Sequence, residues 1–383
     1  MRYKTLGRTG FSVSEIGLGG EYLEGKSEKQ VCDVVHAAMD GGVNLLDCFM
    51  SEPNIRSNLG TALKGCRDKM YIQGHFRSIW ENGQYGRTMD INVVQQHFED
   101  LLRRMQTDYI DIGMIHMIDN PAEYHALFHG PVMEYVQQLR QRGVIRSIGV
   151  SCHNPVTALD AVRTGLVDVL LFSVNPAYDV LHEDAARPQK VDNTLFDSME
   201  HLNGINHVRE ELYRCCEASG VGITVMKSLA AGALLHAETS PFGQAMTVQQ
   251  CMHYALTRPG VASVLVGMET VEQVADCLRY ETMSEAELDY SYLFSKTPKF
   301  SMDGRCMYCN HCLPCPRHIN IAQVQKYLDM ALLDGVSPTL QGHYDALEQK
   351  AGNCMGCGVC ETQCPFSVPI VARMEKASQL FGA

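Results

Sequence analysis

Nowhere in these 383 residues does an apolar run approach the roughly 18–20 residues that a helix needs to cross a bilayer. Basic charge is short as well. The 32 Lys and Arg residues face 44 Asp and Glu, a balance of −12. That deficit argues against nucleic acid and anionic membrane surfaces as partners, because neutralising phosphate takes a basic patch. The opening MRYKTLGRTG has none of the apolar character of a secretory signal, so a cytoplasmic protein is expected. No G-x-G-x-x-G follows the first apolar run, which counts against an open dinucleotide-binding sheet. There is no low-complexity tract, and no internal repeat except one.

That exception is a doubled run of cysteine. Eight of the sixteen cysteines fall between positions 306 and 364. Cys306, Cys309, Cys312 and Cys315 precede Pro316; Cys354, Cys357, Cys360 and Cys364 precede Pro365. Three thiolates spaced by two residues let a short loop wrap one corner of a cubane. The fourth, before proline, ligates the other cluster in two-cluster ferredoxins. The spacing therefore predicts two [4Fe–4S] clusters, one on Cys306, Cys309, Cys312 and Cys364, the other on Cys354, Cys357, Cys360 and Cys315. Structural zinc gives no reason for two triple runs each closed by Cys-Pro, and disulfides do not suit a reducing compartment.

From Ser14 to Tyr280 short apolar runs alternate with amphipathic stretches. Strands are expected at 15–19, 44–47, 70–75, 109–116, 145–151, 168–174, 222–226 and 262–267, each followed by a helix. Eight such pairs imply parallel strands buried on both faces, hence a (β/α)₈ TIM barrel over residues 1–280. A linker at 281–305 follows, then a small α-helical ferredoxin-like iron–sulfur domain at 306–383 with helical patterns near 319–334, 343–351 and 368–380. The long connection at 175–204, with His182, Arg187 and Lys190, is a candidate substrate wall or lid.

The barrel segments LGRTGFSVSEIGLGG (6–20), GVNLLDC (42–48), TDYIDIGMIH (107–116), GVIRSIGVS (143–151) and GVGITVMKSLAAGALL (220–235) together resemble the aldo-keto reductase family. With its C-terminal cysteines the chain is similar to the subgroup carrying a dicluster ferredoxin-type domain. The family's catalytic group is an aspartate, a tyrosine, a lysine and a histidine. By position the resemblance assigns Asp47 as the aspartate and His116 as the histidine. His75 stands where the lysine is expected and Glu52 where the tyrosine is expected, with no phenol evident nearby. For a nicotinamide, possible contacts are Ser151, Leu229, Gly232 and Gly267, while Gln273 replaces an arginine often used for a 2′-phosphate.

Asp47, His75 and His116 would end adjacent strands on the carboxyl rim, where barrel enzymes keep their chemistry. Either Asp47 holds a cationic His75 while His116 moves a proton, or the three bind a metal as a facial triad. The expected function is an iron–sulfur oxidoreductase that reduces a small organic substrate, with a donor such as reduced ferredoxin or flavodoxin. Two alternatives stay open. One is an NAD(P)H-dependent aldo-keto reductase with accessory clusters, the other a non-catalytic electron-transfer module.

Overall fold

The computed structural model describes residues 1–180, 202–295, 300–301 and 304–382. His182, Arg187 and Lys190 lie outside the described residues. Two compact units divide the chain. The first comprises Met1–Val174, Val221–Ser228 and Gly260–Thr282, and the second Asn175–Gly220, Leu229–Pro259 and Met283–Ala383.

All eight expected strands form. They are β1 (Ile16–Gly19), β2 (Leu45–Cys48), β3 (Tyr71–Phe76), β4 (Ile110–Ile115), β5 (Ile145–Cys152), β6 (Val169–Ser173), β7 (Gly222–Met226) and β8 (Val261–Gly267). Each pairs in parallel with its sequence neighbours, and β8 returns to β1, so the sheet closes. A parallel strand covered on both faces has no solvent side, which is why β4 reads IDIGMI and is buried at every position. Leu45, Ile112, Met114, Val169, Leu171, Ala262 and Leu265 fill the interior. Leu6 and Val13 join the same core from the N-terminal segment, where Tyr3–Thr5 pairs antiparallel with Ser12–Ser14. Two buried carboxylates fix neighbouring strands. Asp111 takes Arg67 and Arg146, whose guanidiniums lie on the Tyr109 ring, and Asp168 takes Arg8 and Arg140.

Helix starts follow from short polar residues before proline. Asn120, Asn154 and Asn175 cap helices beginning at Pro121, Pro155 and Pro176, because proline's fixed φ and missing N–H suit the first helical position. Glu52 does the same work before Pro53, its carboxylate accepting from the Ile55 N–H at 2.7 Å. The residue at the family's tyrosine position is thus a helix cap.

An insertion between β3 and the helix Ile91–Arg104 forms a hairpin of Ser78–Glu81 and Gln84–Arg87. Asn82 and Gly83 turn it with φ of 53° and 77°, the left-handed pair that a two-residue hairpin turn requires.

In the second unit the C-terminal helices are Ile321–Asp334, Pro338–Asp345, Val359–Gln363 and Ile370–Phe381. The middle helix starts earlier than the expected 343–351. Ser337 caps it, with Pro338 at its first position, and Ala351–Asn353 instead makes a tight turn into Cys354.

Candidate active site and cysteine cavities

The carboxyl ends of β2, β3, β4 and β5 bring four expected residues together. Asp47 lies opposite Gln73 and His75 opposite Met114 in the sheet register. His75 Nε2 donates to Asp47 Oδ1 at 2.9 Å, and the Gln73 amide donates to the same oxygen at 2.7 Å. Gln73 Oε1 in turn accepts from Thr224 Oγ1 of β7 at 2.8 Å, so the aspartate is held from across the barrel interior. His75 Nδ1 meets His116 Nδ1 at 2.9 Å. Ser151 Oγ lies 3.4 Å from the same His116 nitrogen and accepts from the Met117 N–H at 2.8 Å. The Phe49 ring stacks on His116 with centroids 5.5 Å apart.

A phenol completes the set from an unexpected place. Tyr85 of the hairpin sets its hydroxyl 2.8 Å from His116 Nε2. The hairpin's base is pinned: Ser78 Oγ donates to Phe49 O and Ser51 Oγ to Ile79 O. Arg77, 2% exposed, donates to His116 O at 2.7 Å and pairs with Glu123 at 3.1 Å. The sequence signal for this was Asn82-Gly83 flanked by Ser-Ile-Trp and Gln-Tyr, a hairpin signature. Tyr85 thus sets a phenol beside His116, where the position counted from Asp47 offers only Glu52.

Hydrogen bonding assigns the protons. With one proton on His75, its Nε2–H goes to the carboxylate and Nδ1 must accept. His116 then donates from Nδ1, leaving Nε2 to accept the Tyr85 hydroxyl. With a second proton on His75 the bond to Asp47 keeps its direction and the other two reverse: His75 donates to His116, and His116 Nε2–H donates to the phenol oxygen. Both states satisfy every atom, so the row Asp47–His75–His116–Tyr85 can pass a proton without rearranging side chains. Burial foremost, then His75, Arg77 and Arg87, hold the His116 pKa well below the ordinary histidine value. Tyr85 stays 43% exposed, and the desolvation it does undergo raises its pKa against the pull of Arg87 and Arg77. The phenol therefore keeps its proton at neutral pH. Both His75 nitrogens are engaged by protein atoms, Nε2 by Asp47 and Nδ1 by His116.

Other rim groups serve packing. Burial pushes the Cys48 thiol up to about 12 and raises that of Cys152, so neither is a thiolate at neutral pH. His153 pairs with Asp119 at 3.0 Å.

Of the expected nucleotide contacts, Ser151 and Gly267 lie in the first unit and Leu229 and Gly232 in the second. Ser151 is 2% exposed, with its hydroxyl committed as above. A Cβ on Gly267, the last residue of β8, would lie 2.2 Å from the Tyr22 ring, which accounts for glycine there. Leu229 and Gly232 belong to the second unit, in a tight turn where Ala231 and Gly232 have positive φ. Beyond β8, Gln273 Oε1 accepts from the Glu269 N–H, and Lys26 pairs with Glu269 at 2.7 Å. Glu272 is held ionised by backbone and Thr270 hydrogen bonds. Gln273 thus brings no charge where an arginine often takes a 2′-phosphate, and the nearby Lys26 is already paired with Glu269.

In the second unit the eight cysteines line two cavities. One, of about 310 Å³, is walled by Cys306, Cys309, Cys312 and Cys364 with Ile321, Phe366 and Ile370. The other, of about 400 Å³, is walled by Cys315, Cys354, Cys357 and Cys360, with Cys312 between the two. Burial, joined by the charges of neighbouring thiols, pushes Cys309 up to about 11 and Cys312 up to about 12. Thiols crowded this way cannot ionise together without a positive centre among them. Apolar walls and convergent sulfur fit an iron–sulfur cluster.

Comparison with known proteins agrees with this geometry. Residues 15–291 match the aldo/keto reductase family and residues 305–369 the 4Fe-4S dicluster domain. An aldo-keto reductase of Bacillus subtilis, YhdN, is 30% identical over 209 residues, 51% of this chain and 60% of that relative's length. L-galactose dehydrogenase of Arabidopsis thaliana is 25% identical over 310 residues, covering 71% of this chain and 86% of the relative. Among solved structures, the holo form of an aldo-keto reductase from Bacillus halodurans superposes with a TM-score of 0.58 at 20% identity, over 75% of this chain and 94% of that one. No helix among the described residues is long and apolar enough to cross a membrane. With a closed eightfold barrel, a carboxylate–histidine–phenol row on its carboxyl rim and a family match over most of its length, the chain belongs to the aldo/keto reductase family and is an oxidoreductase with a 4Fe-4S dicluster domain.

Proposed function

We propose that the protein reduces a small organic substrate at the carboxyl rim of the barrel, Tyr85 giving the proton that the reduced atom gains. The observation that carries this reading is the unbroken row of hydrogen bonds from Asp47 through His75 and His116 to the Tyr85 hydroxyl. The exposed edge of Tyr85 can meet substrate, while the buried members refill it. When Tyr85 releases its proton, His116 Nε2 supplies the next, and His75 supplies His116. Asp47, steadied by Gln73, stabilises the doubly protonated His75 that precedes transfer. Phe49, stacked on His116, keeps water off that ring's face.

Cys306, Cys309, Cys312 and Cys364 would hold one [4Fe–4S] cluster, and Cys354, Cys357, Cys360 and Cys315 the other. Such clusters, when bound, supply electrons one at a time. The uncharged Gln273 beyond β8 favours this electron source over NADPH. A small soluble carrier such as reduced ferredoxin or flavodoxin would be the donor, and thiolate ligands that must stay reduced suit the cytoplasm.

Anaerobic assays of iron-loaded protein with reduced viologen, NADH or NADPH, against a panel of aldehydes, ketones and enones, test the reading. Turnover with viologen that falls steeply in Tyr85→Phe is expected. Full-rate turnover with a nicotinamide after loss of both clusters would make the clusters accessory. Neither turnover nor substrate binding would leave an electron-transfer module.

A further inference from the structure

The second unit buries a cation whose ion-pair partner is missing from the described side chains. Arg258 follows the helix Val248–Leu256 and is 1% exposed. Its guanidinium lies 4.5 Å from the Tyr254 ring and 5.2 Å from the Tyr308 ring. Nη2 donates to Met307 O at 2.9 Å, Thr257 Oγ1 at 2.9 Å and Tyr290 OH at 3.3 Å. Nε and Nη1 are buried and have no hydrogen-bond partner. Asp179, the carboxylate whose charge reaches it, is already taken by Arg209 at 2.8 Å and by the hydroxyls of Tyr213 and Tyr254. A buried guanidinium held only by neutral groups is costly, and such a group persists where an anion compensates it.

The Met307 carbonyl says where that anion belongs. Met307 lies between Cys306 and Cys309 and lines the cavity those cysteines share with Cys312 and Cys364. Tyr290 OH donates to the same carbonyl at 2.7 Å. Tyr308 lies between Cys306 and Cys309 in the chain and its ring is one of the two against the guanidinium, so the segment that carries the thiols also covers the cation. The other cavity is built differently. The cation on its wall is Arg317, which is exposed to solvent and therefore screened.

We propose that Arg258 is the fixed counter-cation of the cluster held by Cys306, Cys309, Cys312 and Cys364, and that it keeps this cluster's reduction potential above that of the other. The inference rests on the cluster assignment made above. Four thiolates and a cubane carry net negative charge, and reduction adds one more. A desolvated cation beside them favours the reduced form, because charge and burial set the potential of such clusters. Arg258 acts here as a positioning and tuning residue, and an electron entering either cluster settles on the one it flanks.

Redox titration of the full-length, iron-loaded protein, followed by electron paramagnetic resonance, reads both clusters. Wild type should hold two clusters with separated midpoints; a single cluster by iron count and spectrum would unseat the cluster assignment itself. Arg258→Gln with full iron should lower one midpoint by at least about tenfold in its reduction equilibrium, ~59 mV for one electron, and leave the other in place. Arg258→Lys, which keeps the charge, should keep most of the separation. Unchanged midpoints in Arg258→Gln, or both lowered equally, would overturn the proposal. Should Arg258→Gln fail to load iron, Arg258→Lys decides: a retained separation sustains the counter-cation, and a collapsed one refutes it.

Discussion

His75 and His116 touch through their Nδ1 atoms at 2.9 Å, a contact that holds only when one ring donates and the other accepts. When His75 carries one proton, Asp47 decides which, because its carboxylate takes the Nε2 proton and leaves Nδ1 to accept. The remaining protons then fall into order out to Tyr85.

Tyr85→Phe keeps the ring that packs edge-on against Phe49 and removes the hydroxyl. Loss of a positioned proton donor should lower kcat by about 10²–10⁴-fold with little change in KM. Steady-state kinetics under anaerobic conditions measure both constants. A rise in KM alone would make Tyr85 a binding residue.

His75→Lys restores the family's residue and separates a proton row from a metal site. Lysine can still donate to Asp47 and to His116, so part of the activity should survive. A metal ligated at His75 would be lost along with activity. Metal analysis of protein depleted of its C-terminal cysteines should find no stoichiometric divalent ion, and finding one that disappears in His75→Lys would reverse the assignment.

The barrel was legible because short, mostly apolar stretches alternate eight times with longer amphipathic ones. Asp47, His75 and His116 were legible through the resemblance to the aldo-keto reductase family, whose catalytic positions fall on these strand ends. Tyr85 was not. It comes from an insertion, so no position counted along the chain from Asp47 reaches it, and only the Asn82-Gly83 turn betrayed the hairpin that carries it. Glu52 shows the converse: a carboxylate standing in a catalytic position is explained by capping Pro53–Ala62. Spacing alone suggested the crossed grouping of cysteines. The burial of Arg258 had no sequence signature, since it depends on rings and a carbonyl from separate segments.

Single cysteine replacements test the two cavities. Cys309→Ala should remove one cluster's signal and about half of the roughly eight irons expected for two cubanes. Cys357→Ala should remove the other. Iron and sulfide analysis with electron paramagnetic resonance distinguishes the two losses, and simultaneous loss of both signals in each variant would mean that the cavities do not load independently.

Asp119 supplies a pH dependence. Burial raises its pKa, but hydrogen bonds from the His153 ring and backbone outweigh this and hold the carboxyl below the usual range. A depressed folded pKa contributes stability that is fully present above the unfolded value of about 3.9 and is lost as pH falls through the folded value. Asp119→Asn should therefore be less stable than wild type near neutrality, by about 1–3 kcal/mol, with the gap closing below about pH 4. Denaturant titrations across that range give the comparison. A gap independent of pH would assign the loss to packing.

A cut after Tyr280 examines which residues the folding unit needs. Arg258 depends on Met307 O and Tyr290 for two of its three hydrogen bonds, and Glu217 takes His343 at 2.6 Å. Residues 290, 307 and 343 all lie beyond the cut. The shortened chain keeps the barrel's strands but leaves the helices His207–Ser219 and Val248–Leu256 without these partners, and it uncovers a guanidinium that the fold had buried. Tyr290, Met307 and Tyr308, which cover Arg258, go with the cut, so the cost falls on the apolar surface of the two helices that the removed segment had buried. The truncated chain should therefore lose cooperative unfolding or unfold well below the full-length midpoint, measured by circular dichroism on heating. A truncated barrel that unfolds cooperatively at the full-length temperature would show that residues 1–280 are sufficient.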